Sequence, residues 1–353
     1  MRASPLARSS FAVYALLVVY ASLYPLSGWR DQGLSAFAYV FAPPPPYVTF
    51  FDVVANLAGY LPYGFLCVLA VHPRLRGRAA LGTAVASGAL LSLCLEAAQS
   101  FLPARIASNL DVLCNLGGTL AGAALATRLA PWLLGTGPLK RLRATAFVPG
   151  ATADLGLLLL GLWLFTQLNP ATLLFGAGDL RDLLAAPGGV QHAPELFVSV
   201  EALTSAANLV AAAMLLSAIV APGSRVRLMV LALVLIALAV KAVAFAILLR
   251  AEHVLAWLTP GAWQGLAVGL AAALAAVALP RAARLVLAAM LLMTATVLVN
   301  LAPSNPYLAA SLTVWQQGHF LNFNGLTRLV SSAWPFAALG YLTWLASRRG
   351  ALG

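Results

Sequence analysis

Two short stretches of the chain each place a carboxylate and an amide four residues apart at the head of an apolar run. The first reads TFFDVVANLAG and the second SNLDVLCNLGG, so both follow the pattern [S/T]-x-x-D-V-x-x-N-L-x-G. Because residues four apart share one face of a helix, we expect Asp52 and Asn56 to point in one direction, and likewise Asp111 and Asn115. A carboxylate beside an amide can bind a polar ligand or accept a proton from a reacting group.

A third carboxylate and a guanidinium lie between these stretches. Glu96 and Gln99 are three residues apart and share a helix face, and Arg105 follows in the turn FLPARIASN. An unpaired glutamate at mid-membrane would cost about 2.5–3.5 kcal/mol on insertion scales, so Glu96 needs a partner or a function. Catalysis would use Glu96 or Asp111 as a general base and Arg105 to hold a phosphate or an oxyanion. The remaining candidates are binding residues: Asp52, Asn56, Gln99 and Asn115.

A structural role explains part of the same pattern. The T-x-x-D and S-x-x-D motifs that open the two stretches are helix N-terminus signatures, in which hydroxyl and carboxylate bind free backbone N–H groups. A carboxylate there also meets the positive end of the helix dipole. Capping leaves the asparagines one turn deeper unexplained, and Glu96 could form a structural ion pair with Arg105. The functional and the structural interpretation both stay open at this point.

The composition of the chain predicts the elements that position these groups. Of the 353 residues, 62% are hydrophobic and 9% charged, and the mean hydropathy is +0.91, far outside the range of a water-soluble domain. A helix needs about 20 apolar residues to cross a bilayer. The sequence therefore predicts an all-α fold, a polytopic transmembrane helical bundle of about ten helices. We expect these helices near residues 10–27, 51–71, 79–102, 109–130, 151–169, 196–220, 225–249, 262–280, 283–301 and 325–346.

The charges fit a membrane topology rather than a nucleic-acid partner. The net charge is +11, yet most Lys and Arg residues fall on one side of the membrane when the N-terminus is placed in the cytoplasm. This distribution predicts an N-in/C-in membrane protein, with the polar residues above at the outer leaflet. The first helix lacks a small-x-small cleavage site and is expected to be retained rather than removed as a signal peptide.

The sequence contains no pattern for a metal or a cofactor. Cys67, Cys94 and Cys114 fall within predicted helices and form no CxxC motif, so we interpret them as packing residues. Neither HExxH nor the phosphate-binding pattern GxxxxGK[ST] occurs. We therefore expect no metal, no cofactor and no nucleic-acid partner.

The order and spacing of the polar motifs resemble the VanZ-like family over residues 10–130. The resemblance is carried by D-x3-N, L-P-Y-G-F, E-x2-Q, P-x-R and S-x2-D-x3-N, which begin at residues 52, 61, 96, 103 and 108. It implies a four-helix domain over residues 1–130 and an envelope role, because the namesake of the family is associated with low-level resistance to teicoplanin-type glycopeptides. It also nominates as functional the seven polar residues introduced above.

Residues 145–353 add six predicted helices to this unit. Several of their motifs predict a degenerate repeat of the first four helices plus a terminal pair, since Ala-Asn208-Leu209 matches Ala-Asn56-Leu57. In that alignment Thr204 replaces Asp52, so the second copy would keep the scaffold and lose the site. The alternative is a chance match between two Ala/Leu-rich bundles. We also predict that Lys241, in mid-helix, faces the interior and binds a carbonyl or carboxylate group.

Three classes of function follow from these expectations. The first is an envelope protein that binds or modifies a polar lipid or lipid-linked precursor at the outer leaflet, with envelope-biosynthesis proteins as further partners. The second is a membrane-embedded hydrolase or transferase that uses Glu96 and Asp111. The third is an ion-coupled transporter, for which Glu96 and Lys241 would be the relevant charges.

Overall fold

The computed structural model describes residues 4–33, 35–43, 47–181, 194–248, 254–302, 305, 307 and 321–348. Within these ranges all regular structure is helical, apart from one isolated bridge between Phe147 and Val220. The chain divides into two compact units, unit 1 from Met1 to Ala144 and unit 2 from Thr145 to Gly353.

Unit 1 is built from four long helices and most of a short one, whose last two residues belong to unit 2. They are α1 (Pro5–Leu23), α2 (Phe50–Val71), α3 (Gly77–Gln99), α4 (Asn109–Pro131) and α5 (Pro138–Ala146). Helices α1, α2 and α4 each follow a residue whose side-chain oxygen accepts a hydrogen bond from the first turn, namely Ser4, Thr49 and Ser108, as N-cap residues do. The sequence PLKRLRATA of α5 is basic rather than apolar, which is why the search for apolar runs did not predict this helix.

Helices α2 and α4 approach each other closely. A side chain at Gly118 would collide with the carbonyl group of Leu57, and one at Gly122 with that of Leu61. Small residues at such positions let the backbones of membrane helices touch. The glycines of α4 therefore have a packing role, and they fix which residues of α2 and α4 lie side by side.

Unit 2 contains six helices. They are α6 (Ala151–Thr166), α7 (Pro194–Ile219), α8 (Val226–Leu248), α9 (Pro260–Ala276), α10 (Arg281–Leu301) and α11 (Leu321–Ser347). Helix α7 is central, because most of its residues are buried and it packs extensively on α9 and α10. Helix α11 packs on α6 and α10.

Ten of these helices coincide with the ten predicted apolar stretches. In the described part of the chain, eight are long and apolar enough to cross a membrane, judged by length and composition. The other two, α6 and α9, have 16 and 17 residues, fewer than the roughly 20 that a bilayer requires. The chain is thus a polytopic helical membrane protein in which two helices are shorter than predicted. Its N-in/C-in orientation stays a prediction.

A buried irregular segment, residues 167–181, follows α6. Lys241 of α8 donates hydrogen bonds to the carbonyl oxygens of Asn169 and Thr172, each at 2.8 Å, and to Thr172 Oγ1 at 3.2 Å. Irregular backbone at membrane depth needs such protein partners, because the bilayer core offers none. The prediction that Lys241 faces the interior and binds a carbonyl group is therefore confirmed.

Unit 2 repeats the type of contact that joins α2 and α4. A side chain at Gly265 of α9 would lie 2.7 Å from the carbonyl oxygen of Ala202 in α7, as one at Gly118 would meet Leu57. This contact makes Ala202 the counterpart of Leu57, whereas the Ala-Asn-Leu match in the sequence pairs Leu57 with Leu209. The repeat itself stays a prediction, and the helix contact favours a register seven residues from the one that we predicted.

Candidate functional site

The N-terminus of α2 forms one side of the candidate site. Thr49 and Asp52 make a reciprocal capping box, in which Asp52 N donates to Thr49 Oγ1 at 3.1 Å and Thr49 N donates to Asp52 Oδ2 at 3.2 Å. The hydroxyl group of Thr49 also donates to Asp52 Oδ2, at 2.6 Å. Capping thus occupies Oδ2 of this carboxylate. The predicted structural role of Asp52 is therefore present, and it involves one of the two carboxylate oxygens.

The N-terminus of α4 forms the opposite side and binds the end of α3. Ser108 Oγ accepts from the N–H groups of Leu110 and Asp111 at 3.2 and 3.4 Å. The N–H group of Ser108 itself donates to Glu96 Oε2 at 2.8 Å. Glu96 is buried, with 4% of its surface exposed. A carboxylate from the last turn of α3 therefore caps the start of α4, and it reaches the same end of the unit as Asp52.

The three carboxylates meet at this end of unit 1. Asp111 interacts electrostatically with Asp52 and with Glu96, and Asn56 faces the Asp111 carboxyl group. Both aspartates are half-buried. The helix geometry thus brings together four of the seven residues that the sequence nominated. We call Asp52, Asn56, Glu96 and Asp111 the acidic cluster.

A buried polar layer lies one helical turn below the acidic cluster. Asn115 Nδ2 donates to Ser92 Oγ at 2.9 Å, whereas Asn115 Oδ1 is buried without a hydrogen-bond partner. The hydroxyl group of Tyr60 lies near the same serine and is also buried, without a well-formed hydrogen bond. Both Asn115 and Tyr60 are 4% exposed. Buried polar groups are almost always hydrogen-bonded, so two such atoms side by side mark this layer as a place for a further polar group.

Close helix contacts end the polar layer on its inner side. Thr119 follows Asn115 by one turn and donates its hydroxyl group to the Asn115 carbonyl oxygen at 2.8 Å. A side chain at Gly64 of α2 would collide with the Thr119 carbonyl group, and one at Gly88 of α3 would lie 2.6 Å from Thr119 Oγ1. The three helices are therefore in direct contact at this level. The polar groups are thus closed below by helix contacts, and the half-buried Asp52 and Asp111 lie above them at the end of the unit.

Arg105 and Gln99 serve mainly to hold α1. Arg105 donates from Nε and Nη2 to the carbonyl oxygen of Tyr24 at 3.1 and 2.7 Å, and from Nη2 to that of Ala21 at 3.2 Å. Gln99 Nε2 donates to the Ser22 carbonyl oxygen at 3.0 Å. Burial lowers the pKa of the Arg105 guanidinium, and the Glu96 carboxylate nearby opposes this shift. Both side chains thus bind the carbonyl end of α1, a role that the sequence did not suggest.

Sequence reasoning did not nominate Ser92 and Tyr60. A signal for both was present, because Ser92 lies four residues before Glu96 and Tyr60 four residues after Asn56, so that each shares a helix face with a nominated residue. Tyr39 was also missed. Its hydroxyl group donates to the Leu93 carbonyl oxygen at 2.9 Å, and burial together with the negative charge of Glu96 raises its pKa.

The carboxylates of the acidic cluster are not arranged as metal ligands. Among the described residues, no group of three or more His, Cys, Asp and Glu side chains is arranged to hold a metal ion. The carboxylates instead bind N–H and hydroxyl groups of their own unit, as described above.

Comparison with known proteins identifies one family. The family model described as VanZ/LLP1 matches residues 11–131. Residues 11–131 form a VanZ-like unit. The match begins within α1 and ends with α4, so it covers the four helices that carry the acidic cluster. The resemblance predicted from the sequence is therefore confirmed.

The rest of the chain gives no further relationship. No curated protein and no solved structure matches the chain. The VanZ-like unit together with the eight long apolar helices supports a multi-pass membrane protein. The seven nominated residues all lie within the VanZ-like unit, so the family match and the polar site coincide in the chain.

Proposed function

We propose that the VanZ-like unit binds the polar part of a lipid or lipid-linked envelope component at the outer leaflet of the bacterial cytoplasmic membrane. The observation that carries this proposal is the convergence of Asp52, Glu96 and Asp111 above the buried, unpartnered oxygen of Asn115. In this view the protein is an envelope factor related in function to teicoplanin-type glycopeptide resistance, and its partners are membrane lipids and envelope-biosynthesis proteins.

The position of the cluster supports a ligand from the membrane surface. The acidic residues lie at helix ends, where the polar headgroups of a bilayer are found. The contacts of Gly64 and Gly88 with Thr119 close the site toward the membrane interior. A headgroup could therefore enter from the surface while its acyl chains remained in the bilayer. A site that is closed toward the membrane interior suits the binding of a ligand rather than its transport across the membrane.

A susceptibility assay tests the proposed role. We expect expression of the chain in a glycopeptide-susceptible bacterium to raise the inhibitory concentration of teicoplanin, and Glu96→Gln or Asp111→Asn to restore the level of the empty vector. Each substitution keeps the shape and the hydrogen-bonding capacity of the side chain and removes its charge. Thr204→Ala in unit 2 is the control and should act like the wild type. Equal membrane levels of all variants must accompany the comparison.

Two results would contradict the proposal. Full activity in both carboxylate variants would leave the acidic residues as helix caps. Loss of the protein from the membrane in Glu96→Gln alone would indicate that the bond between Glu96 and the Ser108 N–H group is needed for folding rather than for binding.

An enzyme is the second candidate, and one observation favours it. Glu96 and Asp111 are neighbouring carboxylates with unlike surroundings, since Glu96 is buried and Asp111 is half-buried. Two carboxyl groups in unlike surroundings can divide the roles of acid and base. Turnover of a radiolabelled lipid by the purified wild type, lost in both carboxylate variants, would support a hydrolase or transferase. Transport has less support, because Lys241 binds carbonyl groups of the irregular segment that follows α6.

A further inference from the structure

The charges around the acidic cluster do not balance. Three carboxylates meet there, and the Arg105 guanidinium interacts electrostatically with Glu96. The N-termini of α2 and α4 point at the same place, and each carries about half a positive elementary charge. With all three carboxylates ionised, Arg105 and the two helix N-termini offset about two negative charges, whereas the C-termini of α1 and α3, which lie at the same end, add about half a negative charge each. The site therefore has a net negative charge, which attracts a cationic group.

Of the two unsatisfied atoms, Asn115 Oδ1 requires a hydrogen-bond donor, whereas the Tyr60 hydroxyl group can donate or accept. Asn115 Oδ1 is buried without a partner, and Asn115 Nδ2 is already bound to Ser92. The donors of Arg105 at Nε and Nη2 are directed to α1 carbonyl oxygens. The atoms at this end of unit 1 that can form further hydrogen bonds are thus mainly acceptors, namely carboxylate oxygens and Asn115 Oδ1. A phosphate group, which offers only acceptors at its ionised oxygens, does not fit these atoms.

The positions of Asp111 and Asn115 allow one nitrogen to bind both side chains. Asn115 lies four residues after Asp111 on the same helix face, so their Cα atoms are about 6 Å apart along the helix axis. Two N–H donors of one tetrahedral nitrogen, each about 2.9 Å from its acceptor, bind oxygens about 4.7 Å apart, a distance that side chains one helical turn apart can span. A primary ammonium group has a third N–H donor for Glu96 or Asp52, and its positive charge suits the net negative charge of the site.

We propose that the VanZ-like unit recognises a primary ammonium group of a lipid or lipid-linked component, which binds between Asp111 and Asn115. This inference rests on the proposed function and names the chemical group that the site takes. The phosphate of such a ligand would stay outside the acidic cluster, in the headgroup region. The sequence predicted that Arg105 would hold a phosphate. In this arrangement neither Arg105 nor any residue of the acidic cluster binds the phosphate.

Headgroup selectivity tests the proposal. The probes are dihexanoyl phosphatidylethanolamine, phosphatidylcholine and phosphatidylglycerol, added to the purified full-length protein in micelles, with affinity measured by calorimetry. The first carries a primary ammonium, the second a quaternary ammonium without N–H donors, and the third only hydroxyl groups. We expect the ethanolamine lipid to bind at least about ten-fold more tightly than the other two, because only it supplies charge and donors together.

Matched variants connect this selectivity to the site. Asp111→Asn keeps the side-chain shape and should reduce the ethanolamine preference to near zero. Glu195→Gln removes an exposed carboxylate from the first turn of α7 and should leave the preference unchanged. Free ethanolamine and glucosamine distinguish the source of the amine. Binding of either free amine, lost in Asp111→Asn, would show that the ammonium is recognised without its lipid.

The outcomes separate this inference from the proposed function. Equal binding of the three lipids that is still lost in Asp111→Asn would overturn the ammonium and leave lipid binding at this site intact. Binding that is unchanged in Asp111→Asn, or no binding of any probe, would overturn both. A correctly folded Asp111→Asn protein, shown by an unchanged circular dichroism spectrum, is part of each comparison.

Discussion

Removing one buried hydroxyl group should weaken unit 2 much more than removing its exposed counterpart weakens unit 1. Thr259 caps α9, where its Oγ1 accepts from Ala262 N at 3.2 Å and donates to Glu201 Oε2 at 2.6 Å. Thr49 makes the same two types of bond with Asp52, at 3.1 and 2.6 Å. Thr259 and Glu201 are 5% and 2% exposed, whereas Thr49 is exposed.

The expected costs follow from this difference in burial. Loss of a capping hydroxyl costs about 1 kcal/mol at either site. In Thr259→Val, the Glu201 carboxylate also loses a hydrogen bond while it remains buried, which adds about 1.5–3 kcal/mol. In Thr49→Val, water or lipid headgroups replace the lost partner. We therefore expect a loss of about 2.5–4 kcal/mol for Thr259→Val and about 1 kcal/mol for Thr49→Val.

Unfolding in mixed micelles by sodium dodecyl sulfate, followed by circular dichroism, measures these losses in free energy. A double-mutant cycle isolates the carboxylate term. In a Glu201→Met background, which has no acceptor for the Thr259 hydroxyl group, Thr259→Val should cost only the cap, about 1 kcal/mol. The reasoning is refuted if Thr259→Val costs the same in both backgrounds, or if it costs no more than Thr49→Val.

Three further predictions concern unit 1. Gly122→Leu should push α2 and α4 apart and abolish ligand binding, because its side chain would collide with the Leu61 carbonyl group. Gly59→Leu is the control and should be tolerated, since nothing lies within 4 Å of a Cβ at that position. Calorimetry with the ethanolamine lipid compares the two variants. Arg105→Lys keeps the positive charge but loses the paired hydrogen bonds from Nε and Nη2 to the Tyr24 carbonyl oxygen at the end of α1. We therefore expect the midpoint of unfolding to fall even though the charge is retained. For topology, a membrane-impermeant thiol reagent added outside should label Arg105→Cys and not Arg141→Cys; the opposite pattern would invert the predicted orientation.

The sequence predicted the parts of the site that depend on local pattern. The capping motifs placed Asp52 and Asp111 at the starts of helices, because caps involve residues three positions apart. The same logic put an amide on each helix face one turn deeper. Glu96 was recognised as unusual from its depth alone. These inferences needed no knowledge of how the helices pack.

What the sequence did not predict depends on contacts between distant segments. Arg105 and Gln99 bind carbonyl groups at the end of α1, and backbone carbonyls leave no trace in the residue types of a sequence. The bond between Glu96 and the Ser108 N–H group depends on how the turn between α3 and α4 folds back. The alignment of the α7 sequence with that of α2 stays a prediction, because Ala/Leu-rich helices align in several ways, and the contact of Gly265 with Ala202 favours a register seven residues from the predicted one.

The partners of Lys241 also bear on how the protein is made. A lysine at mid-helix opposes insertion by about 2.5–3.5 kcal/mol, and α8 offsets this because it is the most apolar of the eight long helices in the described ranges. The carbonyl groups of Asn169 and Thr172 precede the lysine by 72 and 69 residues, so they leave the ribosome first. Their segment is therefore already at the membrane when α8 emerges from the translocon, and a nascent chain that lacked it would release α8 into lipid with its charge exposed.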